Sequence, residues 1–237
     1  MYNRSAIIYD AIYRSTGKDY AAEAQKICML IQKYKKSKGM SFLDIACGTG
    51  NHISYFLGKF KIEGLDNSEK MIAIAQKKFP GLRFHLADML DFEIDHPFDV
   101  ITCLFSAIGY VETFPRLIQT LKTIERHLEP GGMTIIEPWF GPGILEAGKV
   151  HAVFVDEPEL KIARMNINNI VEKISYLDFH YLVATPKGIE YFNETHPLGI
   201  FTDGEYEQAF KLAGLEVLRD TEGLDGRGLY VGLKPRI

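Results

Sequence analysis

The stretch Phe42-Leu43-Asp44-Ile45-Ala46-Cys47-Gly48-Thr49-Gly50-Asn51-His52 decides the fold. A short apolar strand from Phe42 to Ala46 runs into two glycines one residue apart, then into a helix-compatible run. Lacking a Cβ, such glycines let the chain turn sharply and bring its backbone close to a ligand. Twenty-two residues beyond Asp44, the strand from Lys61 to Leu65 ends in Asp66; after the same interval the strand from Leu82 to Ala87 ends in Asp88. An acid at the end of the second strand of an open α/β sheet commonly grips ribose hydroxyls. Three successive strand ends facing one crevice describe a nucleoside site.

The residues after the glycines narrow the choice of nucleoside. A dinucleotide fold would read G-x-G-x-x-G/A, with a third small residue for close helix packing beside a pyrophosphate. Here Gly48-Thr49-Gly50-Asn51-His52-Ile53 places a branched side chain at that position. With Asp44 leading it, the pattern resembles motif I of the class I S-adenosylmethionine (SAM) methyltransferases. The resemblance implies an α/β, Rossmann-like core: a mostly parallel seven-stranded sheet with helices on both faces. SAM is the cofactor it implies, and S-adenosylhomocysteine the product. It places Asp44, Ala46 and Gly48 at the amino-acid end of SAM, Tyr20 at its carboxylate, and Leu104 beneath the methionyl chain. Asp66 and Asn67 fall at the ribose, and Asp88 and Met89 at the adenine.

Composition is that of an enzyme domain with one large core. The chain has 237 residues, 46% of them hydrophobic, with 27 basic against 31 acidic residues and a formal charge of −4. That balance argues against a broad nucleic-acid surface, which needs positive potential over a whole face. Cys28, Cys47 and Cys103 show neither C-x-x-C spacing nor an even-numbered framework, so reduced thiols and a cytoplasmic location are expected. No leader pattern opens the sequence, and no apolar run reaches the roughly 18 residues of a membrane span. The seven histidines have no metal-ligand spacing, so no metal is expected.

Strand and helix alternate through most of the chain. Tyr20 to Tyr34 puts Ala24, Ile27, Leu30 and Ile31 on one helical stripe. Ser68 caps a helix to about Phe79, ended by Pro80-Gly81. Asp99 to Leu104 reads as a central strand buried on both faces. Pro115 opens a helix to Leu128, and Glu129-Pro130-Gly131-Gly132 turns into a strand from Met133 to Glu137. From Gly141 the rhythm changes: Val150 to Val155, Leu160 to Asn166, Ile174 to Ala184 and Gly188 to His196 read as strands without helices between them. They predict an antiparallel sheet, residues 141–200, inserted into a core of 1–140 and 201–237 and laid over its carboxyl edge. Such an insertion serves to cover a substrate, to form a homodimer surface or to add packing. Asp203 caps a helix to Ala213, and two strands around Leu215 to Arg219 and Leu229 to Leu233 complete the pattern.

Several segments sharpen the resemblance. Tyr9-Asp10-Ala11-Ile12-Tyr13, Gly17-Lys18-Asp19-Tyr20-Ala21-Ala22-Glu23-Ala24, Phe105-Ser106-Ala107-Ile108-Gly109-Tyr110 and Glu137-Pro138-Trp139 occur in order. Asp178-Phe179-His180-Tyr181, His196 shortly before Phe201, and Gly226-Arg227-Gly228-Leu229 complete the set. Together they resemble the nucleotide-aminosugar N,N-dimethyltransferases of dimethylamino-deoxysugar biosynthesis. The small-molecule substrate implied is a dTDP-linked amino-deoxysugar. Tyr13 and Tyr110 are the candidates at the reacting amine, and Tyr13, Trp139, Arg164, His180, His196 and Arg227 those for the sugar nucleotide, since pyrophosphate wants guanidinium forks and imidazole donors. The transfer needs a neutral amine aligned with the methyl, and a sugar amine can shed its proton to water before binding, so a dedicated base is not required. The same core would serve another small acceptor. A SAM-binding protein without turnover would keep Asp66 and Asp88 but need no ordered acceptor pocket.

Overall fold

In the computed structural model, which describes residues 4–236, a 3₁₀ turn (Ser5–Ile8) leads into α1 (Tyr9–Ser15) and α2 (Tyr20–Tyr34). Next come β1 (Ser41–Ile45), α3 (Ile53–Phe56), β2 (Lys61–Asp66), α4 (Glu69–Lys78) and β3 (Arg83–Leu86). β4 (Phe98–Cys103), α5 (Phe114–Arg126) and β5 (Leu128–Ile136) continue the alternation. Four strands then run without a helix: β6 (Val150–Glu157), β7 (Leu160–Val171), β8 (Ile174–Thr185) and β9 (Gly188–Gly199). α6 (Asp203–Leu212), β10 (Glu216–Asp220) and β11 (Leu229–Leu233) complete the order.

The main sheet has seven strands in the order β10-β11-β5-β4-β1-β2-β3, and β11 alone runs against its neighbours. β4 is buried along its whole length, as its apolar run predicts. One face of the sheet packs Leu43, Ile45 and Ile101 against Leu117, Leu121 and Phe210 of α5 and α6. The other packs Phe42, Val100 and Ile135 against Ile27 and Ile31 of α2. The strand order reverses between β1 and β4, where an open α/β sheet forms its ligand crevice.

β6 to β9 form a separate antiparallel sheet, paired only with one another. Its inner face carries Val155, Ile162, Phe179, Tyr181 and Phe192, onto which Ile8 of the 3₁₀ turn and Ala11 and Ile12 of α1 dock. The strands are longer than their apolar cores suggest, because ladder pairing continues through polar ends such as Asn168↔Leu177 and Asn169↔Tyr176.

Two local expectations are corrected. Thr202, not Asp203, caps α6: its hydroxyl accepts the Glu205 N–H at 3.1 Å while the Glu205 carboxylate accepts the Thr202 N–H at 2.9 Å. The T-x-x-E spacing makes this reciprocal box available one residue earlier, and it frees Asp203 to accept the Tyr230 hydroxyl at 2.6 Å. Glu129-Pro130-Gly131-Gly132 is not a turn before the strand but an irregularity within β5, whose pairing with β4 jumps from Phe98↔Leu128 to Val100↔Met133. Gly131, at φ +77°, supplies the left-handed kink. No described helix is long and apolar enough to cross a membrane.

Candidate active site

The glycine loop is shaped by close approach. Gly50 sits at φ +81°, and a Cβ there would stand 2.8 Å from the Phe79 ring. Gly48 and Ala46 are also left-handed, both at φ +55°. The loop is tied from both sides. Asp66 accepts the Gly48 and Ser68 N–H groups, each at 2.9 Å. Asp10, on α1, accepts the Thr49 hydroxyl at 2.6 Å and the Asn51 amide at 3.0 Å, and pairs with Lys78 at 2.5 Å. Thus α1 joins the inserted sheet to the glycine loop.

A continuous cavity opens beside this loop. Ala46, Gly48, Asp66, Asn67, Met89 and Leu104 lie on one half of its wall. A second, narrow pocket, sharing Ala46 and Leu104 with this wall, extends the site to Asp44, Tyr20, Asn51 and His52. Asp44 is 3% exposed and receives the Thr102 hydroxyl at 2.8 Å. Burial pushes its carboxyl up to about 6. Burial likewise raises Asp66, against the Ser68, Gly48 and Asn67 backbone donors that hold it down. Both oxygens of each carboxylate have lone pairs to spare. This half therefore has two buried acids, Asp44 with a single hydroxyl donor and Asp66 held by backbone donors. Asp88 does not reach this wall: it is exposed, and its carboxylate closes its own turn by accepting the Leu90 N–H at 2.9 Å. Ala87 and the buried Met89 face the cavity instead.

Behind the extension, Tyr20 meets the His52 ring edge-on at 4.8 Å, and His52 bonds Glu23 at 2.7 Å. Lys18 pairs with Glu23 and sets its ammonium 4.1 Å over the Phe105 ring. Phe105 and Ser106 are consecutive non-glycine residues at φ +55° and +59°. Each costs on the order of 1–3 kcal/mol and needs outside support. Glu137 supplies it by accepting the Phe105 N–H, and Ser106 donates to the Pro138 carbonyl at 2.7 Å.

The other half of the cavity is lined by Tyr13, Tyr110, Trp139, Phe140, Leu177, Phe179, Leu198 and Arg227. Tyr13 stands edge-on to Phe105 at 4.8 Å. Arg227 pairs with the fully buried Glu137 at 2.9 Å and also with Asp225. Burial raises Glu137 and the guanidinium opposes it. The Arg227 Nε and the Trp139 indole N–H are buried without a hydrogen-bond partner. Both are donors that a bound oxygen would satisfy.

Three residues named from the sequence for the sugar nucleotide stand off this wall. Arg164 lies behind it, its guanidinium 4.9 Å over Phe179 and its Nη1 3.5 Å from the Tyr13 hydroxyl. His180 points to the opposite face of the inserted sheet, bonded to Tyr191 at 2.6 Å and Asp178 at 3.2 Å. The pleat sends Phe179 and Tyr181 inward, so His180 between them faces out. His196 is inward but fully buried behind Tyr110, its Nδ1 2.7 Å from the Tyr110 hydroxyl. Sequence reasoning passed over Glu137 as a support, Phe140, and the apolar trio Leu177, Phe179 and Leu198. Alternation along β8 was the available signal for the first two of that trio, and an acid directly after the mostly apolar Met133-Thr134-Ile135-Ile136 was the signal for Glu137.

The description "Methyltransferase domain" matches residues 42–132. The dTDP-3-amino-3,4,6-trideoxy-alpha-D-glucopyranose N,N-dimethyltransferase of Streptomyces venezuelae is 37% identical over 230 residues, covering 96% of this chain and 97% of that protein. The chain belongs to the aminosugar N,N-dimethyltransferase family. A Saccharopolyspora spinosa relative, a dTDP-4-amino-2,3,4,6-tetradeoxy-D-glucose N,N-dimethyltransferase, is also 37% identical, over 97% of this chain and 92% of that one. The crystal structure of Streptomyces venezuelae DesVI superposes with a TM-score of 0.90 over 97% of this chain and 98% of that chain, at 37% identity. SAM-bound CalS10, an amino pentose methyltransferase from Micromonospora echinaspora, superposes at 0.85 with 33% identity over 96% of each chain. The chain is therefore a SAM-dependent methyltransferase, and the buried acids Asp44 and Asp66 fit that cofactor.

Proposed function

We infer that the enzyme adds two methyl groups to the amine of a dTDP-linked amino-deoxysugar. The observation that carries this reading is the second half of the cavity. Its walls are Trp139, Phe140, Leu177, Phe179 and Leu198, with few polar groups among them. Such walls suit an acceptor stripped of hydroxyls, since each hydroxyl buried without a partner costs about 1–3 kcal/mol. A phosphate beside Arg227 would accept from the unpartnered Nε.

SAM supplies an already electrophilic methyl on a sulfonium. The protein's part is alignment. In this reading Asp44 and Tyr20 hold the amino-acid end of the cofactor beside Ala46 and Gly48, Asp66 with Asn67 takes the ribose, Met89 packs the adenine, and Leu104 lies under the chain between. Tyr13 and Tyr110 orient the amine. Trp139 and Arg227 hold the sugar and its phosphates, while Arg164 acts through Tyr13. Three free cysteines, two of them buried, support a reducing cytoplasm as the compartment. A homodimer is supported by the outer face of the inserted sheet, where Phe154, Ala163, Leu182 and Tyr191 form one cross-strand row. Phe154 is 66% and Tyr191 60% exposed.

Mass spectrometry of a timed reaction with SAM and a dTDP-3-amino-deoxyhexose tests the reading. The monomethyl amine should rise and then give way to the dimethyl amine. A stop at one methyl with SAM in excess refutes dimethylation. Transfer to simple amines but to no aminosugar nucleotide refutes the substrate class.

A further inference from the structure

An arginine that is to meet an anion is best left uncommitted, and Arg227 is not. In the run Glu222-Gly223-Leu224-Asp225-Gly226-Arg227-Gly228 an acid stands two residues before it. Its guanidinium carries both that acid, Asp225, and the buried Glu137 at 2.9 Å. Two carboxylates against one guanidinium leave the cluster with a net negative charge, which repels a phosphate. Arg227 lines the cavity, and Asp225 lines a groove beside it that shares Tyr13 and Phe105 with the cavity wall. The other cations on these walls are Lys18 and Lys26, and both are committed: Lys18 to Glu23, Lys26 to Asp220 and Glu222. A phosphate arriving at Arg227 therefore has to take the place of one of its two acids.

The two acids are not equally free to leave. The Glu137 side chain is 0% exposed, and its second oxygen accepts the Phe105 N–H. Parting it from Arg227 would strand a buried charge. The Asp225 side chain is 42% exposed and, among the described residues, bonds only to Arg227. The chain on either side of it is fastened. Lys26 donates to the Gly223 carbonyl at 2.6 Å, Asp220 accepts the Gly223 N–H at 2.9 Å, and Leu224 packs against the core. On the other side Glu137 holds Arg227. Between them lies Gly226, at φ +88° with open space where a Cβ would stand. Asp225 thus turns its carboxylate out to water without disturbing either anchor, and an exposed ion pair resists this only weakly.

We propose that Asp225 is an internal competitor for the phosphate subsite. Its carboxylate holds the phosphate's place on Arg227 until the sugar nucleotide arrives, swings into the groove as the diphosphate binds, and returns as the product leaves. Glu137 stays on Arg227 throughout. The assignment rests on the reading above that Arg227 meets a phosphate, and goes beyond it by naming what the phosphate displaces. A carboxylate tethered two residues away acts at an effective concentration of about millimolar or more. Every ligand phosphate at Arg227 is therefore weakened by the same factor, while ligands without a phosphate are not. Methylation leaves the diphosphate untouched, so Asp225 loosens product as much as substrate without contacting the amine.

Asp225→Asn keeps the shape and removes the charge, and Asp225→Ala removes the competing group altogether. Calorimetric titration of each variant with SAH, thymidine and dTDP reads the effect. Both variants should bind dTDP about tenfold more tightly than wild type, between the worth of an exposed ion pair and that of a hydrogen bond to a charged group. Thymidine should gain nothing, and unchanged SAH affinity shows that the variants are folded. If Asp225 instead served to hold the loop or to orient Arg227, its loss would weaken dTDP binding. A crystal structure of the dTDP complex should show Asp225 turned away from Arg227 with Glu137 still in place. Equal or weaker dTDP binding in both folded variants, a tightening shared by thymidine, or a complex in which Asp225 and a phosphate hold Arg227 together each overturns the competitor alone. Arg227→Lys tests the reading beneath it. If that variant binds dTDP as wild type does, the phosphate lies elsewhere, and the phosphate reading and the competitor fall together.

Discussion

Asp44→Asn should make the cofactor-free enzyme more stable while removing the anion proposed to meet SAM. The carboxyl is buried with a single hydroxyl donor, Thr102, and burial lifts it from an ordinary 3.8 to about 6. Keeping it charged at pH 8 therefore costs the fold about 3 kcal/mol. The sign depends on where the proton sits. Below pH 3.8 the group is neutral folded and unfolded, and no cost exists; between 3.8 and about 6 the unfolded chain ionises first and stability falls; above 6 the full cost is present. An asparagine is neutral throughout and can still accept from Thr102. Its melting temperature should exceed wild type at pH 8 by up to about 6–12 °C for a chain of this size, and the gain should vanish toward pH 4. Saturating SAM should reverse the order. Ligand at a hundred times its Kd adds about 2.7 kcal/mol to wild type, whereas the variant lacks the charge proposed to pair with the ligand's ammonium. Thermal denaturation at both pH values, with and without SAM, reads all four quantities. A variant that melts at or below wild type at pH 8 without cofactor, or that keeps the whole SAM-induced shift, refutes this reasoning.

Arg227→Ala should destabilise the protein by about 3–5 kcal/mol, since it strands the buried Glu137 carboxylate; Glu137→Gln added to it should recover much of the loss in denaturant titrations. Arg227→Lys, which keeps the charge but loses the fork, should instead stay folded and weaken dTDP binding in calorimetry with SAM affinity intact. Asp66→Ala should lower SAM affinity by about 1.5–3 kcal/mol, the worth of hydrogen bonds to a charged group, and leave dTDP binding unmoved. His180→Ala, on the outer sheet face, should keep kcat/KM within about twofold of wild type, and a larger fall would place that face in the substrate path. Phe154→Glu combined with Leu182→Glu should give a monomer by light scattering if the outer sheet face joins two copies.

The half of the cavity proposed for the cofactor was written locally. Asp44, the two glycines, Asp66 and Met89 sit at the ends of strands whose apolar runs are visible without coordinates, and a parallel sheet aligns those ends by its own geometry. The strand-rich insertion was equally plain, because four β-rich segments separated by turn residues have few other ways to pair. What the local pattern could not supply was the facing of the inserted strands. Cross-strand partners share a face, so once Phe179 and Leu177 turn inward, the pairing Leu177↔His196 buries His196 and the pairing His180↔Asn193 exposes His180. That choice of face comes from packing against α1 and the cavity, not from anything the two histidines differ in along the chain. Tertiary structure likewise decided the charges. Glu137 and Arg227 lie ninety positions apart, and Tyr110 and His196 eighty-six. The pairing of β11 with β5 turns a lone arginine in a glycine turn into the counterion of a buried acid, and the closing of the inserted sheet over the core turns a tyrosine at the cavity wall into the partner of a buried imidazole.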